Sequence, residues 1–212
     1  MKKPIPRKRQ RRPAPRGESG NAIIEFSLAM SFSVMLLFGT LAVGINLSKG
    51  IQAAQIARDA AHMFASGIDF SKTANKNELI NITNGTGMTV SGGNGVIVLT
   101  ALRHVFAADC TAAGLQANAT SCPNYGKDGT LTRVVIGDST LRTSYYGTPT
   151  TVASNGGVDY LRDTGGGTTN FAAVMTLTAG QVAYVAEVYL SSPDLSYLNE
   201  PSTGGIYARA VF

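Results

Sequence analysis

The sequence predicts an α+β protein, with a long N-terminal helix able to span a membrane and a β-rich domain built on an antiparallel sheet. Two observations support this prediction. Residues 22–47 form an apolar run without proline, and an alanine-rich stretch continues the run to residue 65. Beyond residue 69, short apolar segments alternate with glycine-rich turns, a pattern typical of strands joined by loops.

A basic leader occupies residues 1–20. From Asn21 onward the chain has 10 basic and 12 acidic residues, a net charge of −2, so the basic character belongs to the leader. Basic residues directly before an apolar run are typical of the cytoplasmic side of a membrane helix, which is favoured over a nucleic-acid-binding tail. We therefore expect the leader inside the cell and residues 68–212 outside the cytoplasm. The basic residues of the leader are Lys2, Lys3, Arg7, Lys8, Arg9, Arg11, Arg12 and Arg16. Its prolines, which disfavour a helix, are Pro4, Pro6, Pro13 and Pro15.

The apolar run of residues 22–47 is predicted to cross a membrane. Its 26 residues give about 39 Å of helix at 1.5 Å per residue, which exceeds a hydrocarbon core of about 30 Å. A cleavable secretory signal is the alternative, but its apolar part runs only about 7–15 residues and ends at a small-residue site. This run is longer, and no such site follows it.

The helix is expected to continue past the membrane, so that one helical segment covers residues 21–67. Alanine is abundant in residues 48–65 and no proline interrupts them. A modest amphipathic pattern places Ile51, Ala54, Ala61 and Phe64 near one face. Gly67 is predicted to end the helix.

Five apolar segments in residues 68–212 are predicted to be strands of an antiparallel sheet packed on the helix. Alternation is clearest in residues 181–190, where Val182, Tyr184, Ala186, Val188 and Leu190 fall on one face. Long glycine-rich spacers separate the segments. The predicted strands are residues 95–102, 131–136, 168–178, 181–190 and 206–212.

The two cysteines, Cys110 and Cys122, lie in the domain expected outside the cytoplasm. An oxidising compartment favours a disulfide between them, and the alternative is two free thiols. Such a bond would close a short loop and contribute roughly 3 kcal/mol. No second Cys or His pair accompanies the cysteines, so a zinc site is not expected.

Glu25 is the sole charged residue in the apolar run. A carboxylate in a membrane helix costs roughly 2.5–3.5 kcal/mol at the bilayer centre and less near the interface. One interpretation is a solvated carboxylate at the level of the headgroups. The other is a pairing role, because Asn21 and Glu25 lie one turn apart and an α-amine freed on Asn21 could pair with Glu25. Gly20, five residues upstream, favours the pairing.

Candidate catalytic groups are sparse. His62 and His104 are the two histidines in the chain, and no Gly-x-Ser-x-Gly element supports a serine hydrolase. The triple glycine at residues 165–167 lacks the Lys-Ser/Thr of a phosphate-binding loop. We therefore expect no catalytic residues, no metal ligands and no cofactor.

The segment around Gly20 resembles the start of TadE-like pseudopilins, relatives of type IV pilins that belong to the tight-adherence (Tad, or Flp) pilus system. A basic leader precedes Gly20, Glu25 and Phe26 follow at the family's spacing, and an apolar helix comes next. The alanine-rich residues 52–65, with Arg58 at their centre, are also similar to the family. The resemblance covers about residues 16–65.

This resemblance implies a structural role in assembling a Tad/Flp-type pilus for surface adhesion. Gly20 would precede the bond cut by a prepilin peptidase, Asn21 would become the new N-terminus, and Glu25 would set the register. The implied partners are the peptidase, the membrane and other pilins, and the implied location is the bacterial inner membrane. A permanently anchored adhesin and a tethered envelope hydrolase are the alternatives, and an intact leader would favour the former.

Overall fold

The computed structural model describes the backbone of residues 18–191 and 204–212, with side chains from residue 22 onward. The basic leader of residues 1–20 therefore lies outside the described residues, except for its last three positions. Two compact units divide the chain, one ending at Ile45 and one beginning at Asn46. The fold class is α+β, as the sequence predicts.

Helix α1 runs from Glu18 to Ala65 and contains 48 residues. It begins three positions before Asn21, where the sequence analysis placed its start. The chain has no proline between residues 16 and 122, so every backbone N–H through this region can join the helical ladder. Gly20 and Asn21 are thus part of the helix backbone, and the predicted start was too late.

Gly67 terminates α1, as predicted. Its φ of +84° lies in the left-handed region, which glycine adopts without a steric penalty. The N–H of Gly67 donates to the carbonyl of Phe64 at 3.0 Å, and the N–H of Ile68 donates to the carbonyl of Met63 at 3.2 Å. This pair of hydrogen bonds is the Schellman arrangement, which satisfies the last carbonyls of a helix.

A five-stranded antiparallel sheet forms the second unit, in the order β5-β4-β3-β6-β7. Strand β3 lies at its centre and pairs with β4 and β6, which in turn pair with the edge strands β5 and β7. Four of the five predicted strands are confirmed as long strands of this sheet. The strands are β3 (Gly95–His104), β4 (Asp128–Gly137), β5 (Gly167–Thr168), β6 (Ala183–Ser191) and β7 (Gly205–Val211).

The strand predicted over residues 168–178 is wrong beyond its first residue. Thr168 ends β5, and a single 3-10 turn follows at Phe171–Ala173. Phe171 and Leu177 are buried in one cluster with Leu102, while residues 172–176 between them are exposed. The apolar character of this segment therefore reflects two anchors of a loop and not the faces of a strand.

Four short elements complete the fold, and the sequence analysis predicted none of them. Helix α2 has one fully buried side chain, Leu79, so it lacks the apolar repeat that would reveal a helix. Helix α3 is a six-residue turn that carries Cys110. The elements are α2 (Thr73–Ile82), β1 (Met88–Thr89), β2 (Gly92–Gly93) and α3 (Ala107–Ala112).

The main core joins the C-terminal part of α1 to one face of the sheet. The α1 side is largely alanine, which allows the helix to lie close to the sheet. Of the predicted amphipathic face, Ala61 and Phe64 are buried in this core and Ala54 is half-buried, whereas Ile51 does not take part, because 51% of its surface is exposed. The residues of α1 in this core are Ala53, Ile56, Ala57, Ala60, Ala61 and Phe64, and those of the sheet include Ile97, Leu99, Val134, Ile136, Ala186 and Val188.

Candidate functional site

Residues 22–47 of α1 form an apolar surface that nothing in the described chain covers. Of the helices that the structure describes, the one at Ala22–Ala65 is long and apolar enough to cross a membrane. Large apolar side chains project all round the helix and are between about two fifths and three quarters exposed. They include Ile23, Ile24, Phe26, Leu28, Met35, Leu37, Phe38, Leu41, Val43 and Leu47. A patch of this extent requires lipid or other apolar helices around it.

Three of the four hydroxyl groups on this surface, all except that of Ser33, are satisfied within α1 itself. Ser31 Oγ donates to the carbonyl of Ser27 at 2.9 Å, and Thr40 Oγ1 donates to the carbonyl of Leu37 at 2.9 Å. Ser27 Oγ bonds to the carbonyl of Ile24 in the same way, at 3.2 Å. These hydroxyls can therefore enter an apolar medium without leaving a donor unsatisfied.

Glu25 differs from these bonded hydroxyls because it has no partner in the part of the chain that the structure describes. Its side chain is exposed and makes no hydrogen bond or ion pair with any described residue. The backbone of Gly20 and Asn21 lies in the same helix, with Asn21 one turn before Glu25. Their side chains lie outside the described part of the chain, so the predicted contact between Asn21 and Glu25 remains a prediction.

The glycines of the apolar stretch have no packing role within the described part of the chain. A Cβ built on Gly39 or Gly44 would meet nothing within 4 Å. Gly39 and Ala42 lie on one side of the helix and Gly44 on nearly the opposite side, so small residues would let a second helix approach closely from either direction.

A second polar site, which the sequence analysis missed, lies on the face of the sheet turned away from α1. Glu187 is 3% exposed there and accepts three hydrogen bonds. The donors are the Ser144 hydroxyl, the Tyr145 N–H at 2.9 Å and the Tyr207 hydroxyl at 2.7 Å. Burial, together with the bond to Glu187, raises the pKa of Tyr207 above its usual range.

Two arginines extend this network. Arg133 Nη2 donates to the carbonyls of Tyr146 at 3.2 Å and Gly147 at 2.8 Å, and Arg209 Nη1 donates to the Tyr146 hydroxyl at 2.8 Å. Burial lowers the pKa of Arg133 to about 10, so it stays charged at neutral pH. These bonds hold the loop after β4 against the sheet, and the network is accordingly structural.

The two histidines lie on different elements. His62 is exposed on α1 and contacts the Phe212 ring edge-on at 5.8 Å between centroids. His104 ends β3, where its Nδ1 lies 2.8 Å from Asp128 Oδ1. Within residues 18–191 and 204–212, no group of three His, Cys, Asp or Glu side chains could hold a metal ion.

Cys110 and Cys122 form a disulfide, with their Cα atoms 6.1 Å apart. Both side chains are fully buried and pack with Val105 and Leu161. The bond closes the loop between β3 and β4, which has little regular structure besides α3. It therefore anchors a segment that could not otherwise bury much apolar surface.

Comparison of the chain with protein-family models, with curated proteins and with solved structures found no match. A functional interpretation therefore rests on the residues around Gly20 and on the geometry of α1. Glu25 is the charged group of the apolar stretch, and it has no partner among the described residues.

Proposed function

We propose that this protein is a TadE-like minor pilin or pseudopilin, a structural component in the assembly of a Tad/Flp-type pilus for surface adhesion. It resides in the bacterial inner membrane through residues 22–47, with the C-terminal domain outside the cytoplasm. It is the substrate of a prepilin peptidase and carries out no reaction itself. Its partners are other pilins, which it meets through the N-terminal helix.

The lone carboxylate of Glu25 is the observation that carries this proposal. It projects from a helix that is otherwise apolar on all sides, and it has no partner in the described residues. Hydrolysis of the Gly20–Asn21 bond would free an ammonium group on Asn21. Pairing of that ammonium with the Glu25 carboxylate of a neighbouring copy would offset the cost of holding a charge among apolar helices.

The shape of the α1 surface supports assembly by close helix packing. Gly39 and Gly44 leave room for an approaching backbone, and the neighbouring hydroxyl of Thr40 is already bonded within the helix. Helices in lipid gain little from apolar contact alone, so close packing and polar pairs decide their association. The exposed stretch of α1 provides both.

Processing at Gly20 is the experiment that tests the proposal. We expect the full-length chain, expressed with a prepilin peptidase, to lose its 20-residue leader, and Gly20→Leu to prevent this loss. Gly17→Leu, in the same leader, is the matched control and should be processed normally. An immunoblot against a C-terminal tag measures both forms. If the wild-type chain keeps its leader beside an active peptidase, the protein is a permanent anchor and the pilin proposal fails.

A further inference from the structure

A cavity of about 180 Å³ lies on the face of the sheet turned away from α1, under the loop that follows β4. The proposed pilin function makes no use of it. Its apolar wall consists of Val98 and Val135 from the sheet and Pro149 and Val152 from the loop. At about 30 Å³ for each water, the cavity has room for roughly six waters, or for one small ring.

Two arginines line this cavity, and the buried carboxylate of Glu187 is close enough to Arg133 to favour its charged form. Arg133 is 6% exposed, and no described carboxylate lies within ion-pair distance of it. Its Nε is enclosed, but its Nη1 makes no hydrogen bond with any described residue. Arg142 is exposed at the rim and likewise has no carboxylate partner in the described chain. Its guanidinium is held 4.1 Å from the centroid of the Tyr207 ring.

The acidic groups near the cavity are already engaged. Glu187 is bound by three donors within the sheet network. Asp138 accepts hydrogen bonds from the N–H and hydroxyl of Thr140. The arginines therefore retain the capacity to bind an added anion, and a guanidinium is well suited to a carboxylate.

Three hydroxyl side chains complete the lining. Ser139, Thr143 and Thr148 border the cavity, and their hydroxyls make no hydrogen bond with any described residue. Ser144, by contrast, is committed to Glu187. Free hydroxyls beside a positive charge and an apolar wall match a ligand that carries a carboxylate, several hydroxyl groups and an apolar ring face.

We propose that this cavity binds one acidic sugar residue, of the uronic acid class. The carboxylate lies toward Arg133 and Arg142, the sugar hydroxyls meet the three free hydroxyl side chains, and the ring lies against Val135 and Val152. The inference is independent of the pilin proposal, since the cavity belongs to the sheet domain alone.

Titration of the full-length protein in detergent with D-galacturonate tests this proposal, with binding followed by saturation-transfer NMR. We expect saturable binding in the millimolar range, typical of a small ligand with few contacts. Neutral D-galactose and acetate should each bind at least about tenfold more weakly, because each lacks part of the recognised chemistry. Equal binding of galactose or of acetate, or no binding of galacturonate, would overturn the assignment.

Two variants locate the site. Arg142→Gln should weaken galacturonate binding at least about tenfold, and Val152→Phe should abolish binding by filling the cavity. Both positions are exposed, so the melting temperature should fall by no more than a few degrees, including the loss of the contact between Arg142 and Tyr207. Arg162→Gln is the matched control, since Arg162 is exposed and pairs with Asp159 at 3.9 Å outside the cavity lining. Wild-type affinity in both cavity variants would contradict the proposal.

Discussion

Replacement of Glu25 by alanine separates the effect of this carboxylate on insertion from its effect on assembly. Glu25 lies three residues into the apolar run, about 4.5 Å along the helix from its start, so the proposed membrane span would place it near the interface. Its cost to insertion is therefore below the roughly 2.5–3.5 kcal/mol of a bilayer centre. We expect Glu25→Ala to insert as well as the wild type or better.

Pilus assembly, in contrast to membrane insertion, should be weakened by Glu25→Ala. Two opposite unit charges 4 Å apart attract by about 1 kcal/mol in water and by about 4 kcal/mol at an effective dielectric constant of 20. Loss of one such pair corresponds to roughly a fivefold to thousandfold weaker association between neighbouring helices. The upper part of this range applies if the pair is shielded among packed helices.

The assay counts sheared pili and measures membrane insertion by carbonate extraction in the same cells. Glu25→Asp keeps the charge on a shorter side chain and should retain part of the assembly, whereas Glu25→Gln should lose it. Ser27→Ala is the matched control, since the Ser27 hydroxyl bonds within its own helix. Wild-type numbers of pili in Glu25→Ala would refute the pairing role.

Three further predictions concern the sheet domain, and each is checked by chemical denaturation. Ala57→Leu should destabilise the domain by about 1–3 kcal/mol through overpacking, whereas Ala54→Leu on the partly exposed face should cost under about 1.5 kcal/mol. Tyr207→Phe should cost about 1–3 kcal/mol, because it removes a donor to a buried carboxylate. Because the pKa of Tyr207 is raised in the folded state, its contribution to the free energy of unfolding is complete below about pH 10 and declines as the pH rises above that value. Replacing both Cys110 and Cys122 by serine should cost roughly 3 kcal/mol, and neither thiol should label in the non-reduced protein.

The elements that could be predicted from the sequence are those whose residues repeat with a clear period. The apolar run of α1 and the alternation in β6 both have this property, and Ala186, Val188 and Leu190 do face the core as predicted. Gly67 was also predictable, because a helix that ends on glycine requires little beyond local geometry. These signals are local in sequence and depend on one element at a time.

The missed elements depend on tertiary contacts. Helix α2 buries one side chain fully, and Phe171 is buried because a loop folds back onto Leu102. On the predicted face of α1, Ala61 and Phe64 are buried, but Ile51 is exposed, and the contact is made mostly by smaller alanines. Size suggests burial, but a helix lying close to a sheet favours small residues.

The same distinction applies to the two polar sites. Glu25 could be identified from the sequence, since a single charge stands out in an apolar run. Glu187 could not be identified as a buried site from the sequence. Alternation along β6 shows which residues share a face, but it does not show whether a loop covers that face. Its burial depends on Ser144 and Tyr145, more than forty positions away in the chain.

The N-terminal mass of the mature protein is the most direct test of the central claim, that a freed amine on Asn21 is the partner of Glu25. Intact mass spectrometry of the protein purified from piliated cells measures it without any substitution. The account predicts a polypeptide that begins at Asn21. A polypeptide that still carries residues 1–20 in cells that are assembling pili would contradict it.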